Sequence, residues 1–440
     1  METKTTTFEH ASAMPAATWH FLKMNDTVIE IPEGLAITPD VKADVPWQAR
    51  GKEDEFENAL AFAQEEWEKH HPEPTAEEIA EREAFLAAEA DATYGGTAQS
   101  RYQMNADALE ETRSLLVAFE HGTGDETAAY LRYAAGDRIA IIAYPRQEVD
   151  AEVVVTAVPG ALSAAAIDVV ADSGSTVNLS IVVEDGATQA EAPDSDATQA
   201  EEPKNELAGI TGTTVRVFAD ADAEVNITRM QAICGPFADI DDMGLFANDR
   251  ARIVVRQTVL GADATHTGLA GDLRGDSARV DVDTRYLGRG TQVHDFNYSL
   301  RHHGTRTECN LNANGVLAGT CCKTLRGTID LIRGAKGAQG SENETVLLVD
   351  EGVRNKTVPV ILCNEDDVAG NHGATIGHIR EEQLFYLASR GLSQEIAERM
   401  FVSAVLEQAA IDAPCTAARA GVLRLGEKLS PGFTSLFEDE

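Results

Sequence analysis

Cysteine thiolate and neutral imidazole are the side chains best suited to hold a transition metal or sulfur species, so the chemistry of this chain starts from them. It has six cysteines and eleven histidines in 440 residues. Cys321 and Cys322 are adjacent, whereas Cys234, Cys309, Cys363 and Cys415 are scattered. No C-x-x-C pair is present, so neither a self-contained zinc or cluster site nor a disulfide framework is expected. His372 lies within Asn371-His372-Gly373-Ala374-Thr375-Ile376-Gly377 and reads as a lone histidine in a glycine-flanked turn closing a long β-rich region. Such a histidine is either a plain turn residue or a metal ligand, and one imidazole cannot hold a cluster alone. Its partners would come from elsewhere, including another chain. Cys363, a short way upstream, fits the next coil or edge, or simply a buried free thiol. His266, His294, His302 and His303 lie in the β-rich region near Arg285, Arg301 and Arg306. They read as polar residues along an exposed sheet face, with a transfer surface as the sharper alternative.

Signatures of catalysis are missing. Gly334-Ala335-Lys336-Gly337-Ala338-Gln339-Gly340-Ser341 fails as a phosphate loop, because the Lys precedes the last glycines instead of standing before a Ser or Thr that opens a helix. There is no Gly-x-Ser-x-Gly elbow and no His-Glu-x-x-His. The acid pairs Asp366-Asp367 and Glu381-Glu382 mean little where carboxylates are so common. A non-enzymatic protein is the expectation.

A formal net charge of −37 argues against nucleic-acid and anionic-membrane partners, both of which call for a basic surface. Hydrophobic residues make up 43%, as in a globular protein. No apolar run of about 18 residues suggests a membrane span. Met1-Glu2-Thr3-Lys4 does not open a signal peptide, and the scattered cysteines fit a reducing cytoplasm.

Three regions must position these residues. Residues 1–111 read as an N-terminal helical region, rich in Glu and Ala over 53–90. There Phe56, Leu60, Ala63 and Trp67 form one stripe, and Thr75 with Glu78 forms a capping box. Residues 112–377 change texture to short β-branched runs separated by Gly, Asp and Asn, such as Val177–Val183, Thr214–Phe218 and Ile253–Arg256. A sandwich, a barrel or a solenoid would each produce this, and the long helix-free run over about 210–365 favours a solenoid over a barrel. Residues 185–205 hold a duplicated Ala-Thr-Gln-Ala-Glu segment and read as a flexible acidic insert. Residues 378–440 read as helical. One helix runs from Glu381 to Ser389 with Gly391 as its stop, and a second runs from the Ser393 cap to about Ile411. Apolar residues on two faces of the second helix (Ile396, Met400, Phe401, Val402, Val405, Leu406 and Ala409) require two burial surfaces, one of them plausibly a partner.

Lys323-Thr324-Leu325-Arg326-Gly327-Thr328-Ile329-Asp330, Asp350–Pro359, the His372 segment and the Glu381–Gly391 helix together resemble the SufB/SufD family of iron–sulfur assembly scaffolds. The stretch around Trp19 resembles that family weakly. Gly373 after the histidine resembles the SufD form, since SufB proteins carry an acidic residue there, while Gly370 stands where some SufD proteins have a cysteine. The resemblance implies a mainly β fold: a right-handed parallel β-helix with N- and C-terminal α-helical regions. It implies a non-catalytic, SufD-like subunit that pairs with a SufB-like scaffold through the β-helix. It also implies docking of a SufC-like ATPase on the C-terminal helices, for which Phe385, Tyr386, Met400 and Phe401 are the candidate contacts. His372 would then lie at a shared site where a nascent iron–sulfur cluster forms, with no cluster held by this chain alone. A SufB-type subunit is the nearest alternative. A β-helix enzyme acting on polysaccharide is the alternative from another class, and it would call for a secretion signal.

Overall fold

The computed structural model describes residues 5–15, 24–52, 54–70, 120–185, 207–379 and 381–437. The Trp19 stretch, the Thr75 capping box and nearly all of the 185–205 insert lie outside them. Residues 54–119 form one unit, of which helix α1 (Glu55–His70) is described. All else belongs to a second unit.

The second unit opens with strands β1 (Thr5–Ala11), β2 (Thr27–Pro32), β3 (Ala36–Ile37) and β4 (Val41–Asp44), where a helical region was expected. Thr27-Val28-Ile29-Glu30-Ile31 alternates with a period of two, and Ile29 and Ile31 are buried on one face of a hairpin with β1. Helix α2 (Asp125–Ala135) follows, then β5 (Arg138–Ala143). The coils proper run through β6 (Glu148–Thr156), β7 (Ala161–Ala171), β8 (Thr176–Glu184), β9 (Gly209–Ala219), β10 (Glu224–Ala232), β11 (Phe237–Ala247) and β12 (Arg252–Val259). They continue through β13 (Ala264–Leu273), β14 (Arg279–Gly288), β15 (Val293–His302), β16 (Glu308–Leu317), β17 (Cys322–Leu331), β18 (Gln339–Leu348), β19 (Arg354–Cys363) and β20 (Ala369–His378).

Even-numbered strands from β4 to β20 build one sheet in sequence order; β3 and the odd-numbered strands from β7 to β19 build the other, with β5 also paired to β7, while β1 and β2 pair separately. Among the coils from β6 onward every pairing is parallel and unshifted, so equivalent residues of successive coils stack directly, roughly 30 apart except across the 185–205 insert. The chain is a two-faced parallel β-solenoid, and its core is the lumen between the sheets. Inward positions carry β-branched and aliphatic side chains in ladders. One runs Val177, Val225, Ile253, Val280; its neighbour runs Leu179, Ile227, Val255, Val282, Leu311. Such stacks bury each coil's inner face on the next and account for why the strands are β-branched rather than merely apolar.

Three helices follow: α3 (Glu381–Ser389), α4 (Gln394–Ile411) and α5 (Thr416–Leu429). Gly391 has φ +85° and stops α3, and the Ser393 hydroxyl accepts from the Ile396 N–H at 3.3 Å to start α4. Leu406, Ala409 and Ala410 of α4 join Val422 and Leu425 of α5 on the outside of the even-numbered sheet, against Val182, Met230 and Leu287. Arg285 of β14 pairs with Asp412 at the end of α4.

Candidate functional site

His372 is not in a turn. It stands inside β20, in unshifted register with Glu342 of β18. The glycines around it carry little strand propensity, but the ladder supplied by β18 overrides that local preference. Gly370 faces inward, where a Cβ would come within 2.9 Å of Ile361. It makes room for the lumen rather than for an approaching partner. β20 and β19 are the terminal strands of their sheets, so each leaves one backbone edge unpaired by a described strand. His372 lies on the lumen side of this last coil, at the end of the ladder through Leu179, Ile227, Val255, Val282 and Leu311. The next two residues of that ladder are Glu342 and His372.

Beneath His372 the lumen turns polar. Lys323 of β17 and Glu344 of β18, both fully buried, form an ion pair. Lys323 also donates to the Lys356 carbonyl at 3.3 Å, Thr357 donates to Glu344 at 2.6 Å and Tyr286 donates to Glu344 at 3.2 Å. Burial lowers the Lys323 pKa against the pull of Glu344, and burial raises that of Tyr286. Glu342 shares the space, and among the described residues neither of its carboxyl oxygens makes a hydrogen bond. Burial, with Glu344 beside it, pushes its pKa up to about 8. One oxygen lies 4.0 Å from His372 Nδ1; the carboxylate side chain is 3% exposed and the imidazole 35%. Sequence reading missed Glu342, Glu344, Lys323, Tyr286 and Thr357. A visible signal was Gly340-Ser341-Glu342-Asn343-Glu344-Thr345-Val346, where two carboxylates two apart share one face of a strand.

The other histidines and cysteines do not join this site. His294 and His302 do not lie along an exposed face; both are buried in the lumen, because the period of two on β15 turns them inward with Phe296, Tyr298 and Leu300. His294 pairs with Thr265 at 2.7 Å. His302 pairs with Thr307 at 2.7 Å and with the Cys309 thiol at 3.1 Å. Burial pushes Cys309 up to about 12 and His302 down to about 4, so this is a neutral thiol beside a neutral imidazole, not an activated nucleophile. His303 pairs with Asp272 at 2.8 Å, Arg301 with Glu120, and Arg306 with Asp276 at 3.6 Å. Cys363 ends β19 in the opposite sheet from His372, exposed, with its thiol donating to the Glu365 carbonyl at 3.3 Å. Among the described residues, no group of three or more His, Cys, Asp or Glu is gathered to hold a metal ion.

On the C-terminal helices Phe385 is 77% exposed, Tyr386 56% and Met400 51%, while Phe401 is half-buried. The Arg390 guanidinium stacks over the Tyr386 ring at 5.2 Å. Among the described residues no helix is long and apolar enough to cross a membrane.

Residues 191–405, which hold the ladder's end and His372, match the family model described as the SUF system FeS cluster assembly, SufBD core domain. The chain carries a SufBD core domain. It is 33% identical to the iron–sulfur cluster assembly protein SufD of Bacillus subtilis over 131 residues, 30% of either chain. Over 143 residues it is 34% identical to an iron–sulfur cluster assembly SufBD family protein of Mycobacterium leprae, covering 32% of this chain and 16% of that one. Its identity to SufB of Bacillus subtilis is 24% over 212 residues, 45% of either chain. The matches thus span less than half the length of these relatives.

Proposed function

We propose that this chain is a SufD-like, non-catalytic scaffold subunit of an iron–sulfur cluster assembly complex. The observation that carries this reading is His372 itself: an accessible imidazole on the lumen side of the last coil of a SufBD core domain, between two strand edges that no described strand pairs. Unpaired edges invite strand addition by another chain, and a SufB-like scaffold is the partner that the family supplies. Imidazole is a good iron ligand, and the remaining donors for the nascent cluster would come from that partner. The cluster is cargo in this reading, not a resident cofactor. The exposed Phe385, Tyr386 and Met400, with half-buried Phe401, have the aromatic and methionine character of an anchor surface, and the proposed occupant is a SufC-like ATPase. The greater identity to SufD than to SufB favours the SufD role.

The test is His372→Ala in a complex co-purified anaerobically with SufB-like and SufC-like partners. The complex should assemble at normal yield, because the imidazole lies accessible at the last coil, while bound iron and acid-labile sulfide fall sharply. Cys363→Ser is the matched control and should change little. Normal cluster content in His372→Ala would overturn the site.

A further inference from the structure

Glu342 is a carboxyl group where the same ladder elsewhere carries Leu179, Ile227, Val255, Val282 and Leu311. A buried acid with both oxygens unpaired is expensive to keep, and each such group calls for an explanation. The neighbouring cation attracts it through space but gives it no hydrogen bond. Lys323 is committed to Glu344, to the Lys356 carbonyl and to Thr357, at 3.3 Å for each of the last two. The chain also makes room for the acid. Gly327 of β17 faces the carboxyl, and a Cβ there would stand 2.4 Å from its Oε1. No side chain can replace this glycine without displacing the acid. The one group stacked directly on Glu342 from the open side is His372, whose Nδ1 is 4.0 Å from the other oxygen.

We propose that Glu342 is a positioning residue for His372: its buried carboxyl receives the imidazole Nδ1–H and so leaves Nε2 with the free lone pair. A small rotation of the exposed imidazole shortens 4.0 Å to a hydrogen bond. Metal-binding histidines generally donate their second ring nitrogen to a carboxylate or carbonyl, which fixes tautomer and ring orientation. Here the orienting group is in the preceding coil, inside the lumen, and the ligating nitrogen is left for the open end. The inference rests on the reading of His372 as a ligand at a shared site, and it adds which nitrogen ligates and what fixes it.

The experiment reads the tautomer directly, with no cluster present. The full chain is labelled with ¹⁵N-histidine, and His372 is assigned by comparison with His372→Ala, at a pH where free imidazole is neutral. The wild type should show the Nδ1–H tautomer at His372. Glu342→Gln keeps an acceptor oxygen of the same shape and should keep it. Glu342→Leu restores the aliphatic ladder, so it should fold, and should shift His372 to the Nε2–H form that a histidine side chain favours when no acceptor holds Nδ1–H. Gly327→Ala should do the same by pushing the carboxyl aside. In the complex, Glu342→Leu should lower cluster content severalfold while Glu342→Gln preserves most of it. An Nε2–H tautomer in the wild type, or an unchanged tautomer in Glu342→Leu, overturns the inference and leaves the ligand role of His372 standing. Normal cluster content in His372→Ala instead removes the ligand role while the tautomer result still holds.

Discussion

The Lys323–Glu344 pair is the feature of the last coils most exposed to a decisive perturbation. Both side chains are fully buried, and Glu344 also accepts from Thr357 and Tyr286. In Lys323→Met the stem is kept and the ammonium lost, so Glu344 becomes an uncompensated buried charge next to Glu342. Breaking one side of a buried pair costs about 3–5 kcal/mol, against about 0–1 for an exposed pair. A solenoid is stabilised coil by coil through neighbouring interfaces, so the loss should appear locally. Hydrogen exchange of the β17–β20 amides should accelerate by about two to four decades, at about 1.4 kcal/mol per decade. Amides of β6–β9 should barely change. The double variant Lys323→Met/Glu344→Gln removes the charge but keeps an acceptor for Thr357, and should recover most of the protection. Unchanged exchange in the single variant, or equal loss in both, would refute the view that uncompensated charge rather than lost packing sets the cost.

Two further outcomes follow from the same structure. His294 and His302 have folded-state pKa values pushed by burial from 6.5 down to about 4, so the unfolded chain binds their protons first. Their contribution is fully present above about pH 6.5 and is lost as pH falls toward 4, about 3 kcal/mol each as an order of magnitude. Urea midpoints measured across that window should fall with acid, and the fall should be shallower in His294→Gln/His302→Gln; a pH-independent midpoint would contradict it. At the proposed ATPase dock, Phe385→Ala and Met400→Ala should each weaken binding of the SufC-like ATPase by about tenfold or more with little change in melting temperature. These point variants are cleaner than cutting the chain at Gly377, which would uncover Val182, Met230 and Leu287 beneath α4 and α5; undiminished binding would place the dock elsewhere.

Strand texture was legible because lumen ladders demand β-branched residues at every second position, so Val177–Val183 and Ile253–Arg256 declared themselves. The C-terminal caps were equally legible: Gly391 and Ser393 act through local backbone chemistry that needs no tertiary context. The N-terminal strands are less legible, because the short Thr27–Ile31 alternation stands beside a long Glu- and Ala-rich stretch of helical composition. His372 is legible by residue type but not by local structure, since Gly370 and Gly373 signal a turn and only pairing with β18 makes a strand. Glu342 was missed for a deeper reason. Its burial is a property of the coil beneath and the coil above: the spacing of Glu342 and Glu344 puts both on one face of a strand, but only the stacked coils decide that this face points inward.

That difference bears on how the end of this solenoid works. A polar lumen could be a simple terminus, where coils near solvent tolerate charge. Lys323 and Glu344 contradict that reading, because they are fully buried and mutually satisfied, as a specified interior is. The same few residues leave one acid unsatisfied, with a glycine cleared to hold it and an imidazole stacked above it. A terminus that only tolerated charge would have no reason to balance one carboxylate so closely and leave its neighbour two residues away unpaired. The arrangement makes sense when Glu342 serves His372 and His372 serves a ligand arriving from outside the chain. Restoring the aliphatic ladder with Glu342→Leu should therefore stabilise the last coils in urea, removing a desolvation cost of about 1–3 kcal/mol, while degrading cluster assembly. A Glu342→Leu chain that is less stable than wild type would mean the carboxyl has a structural partner and that the functional argument is misplaced.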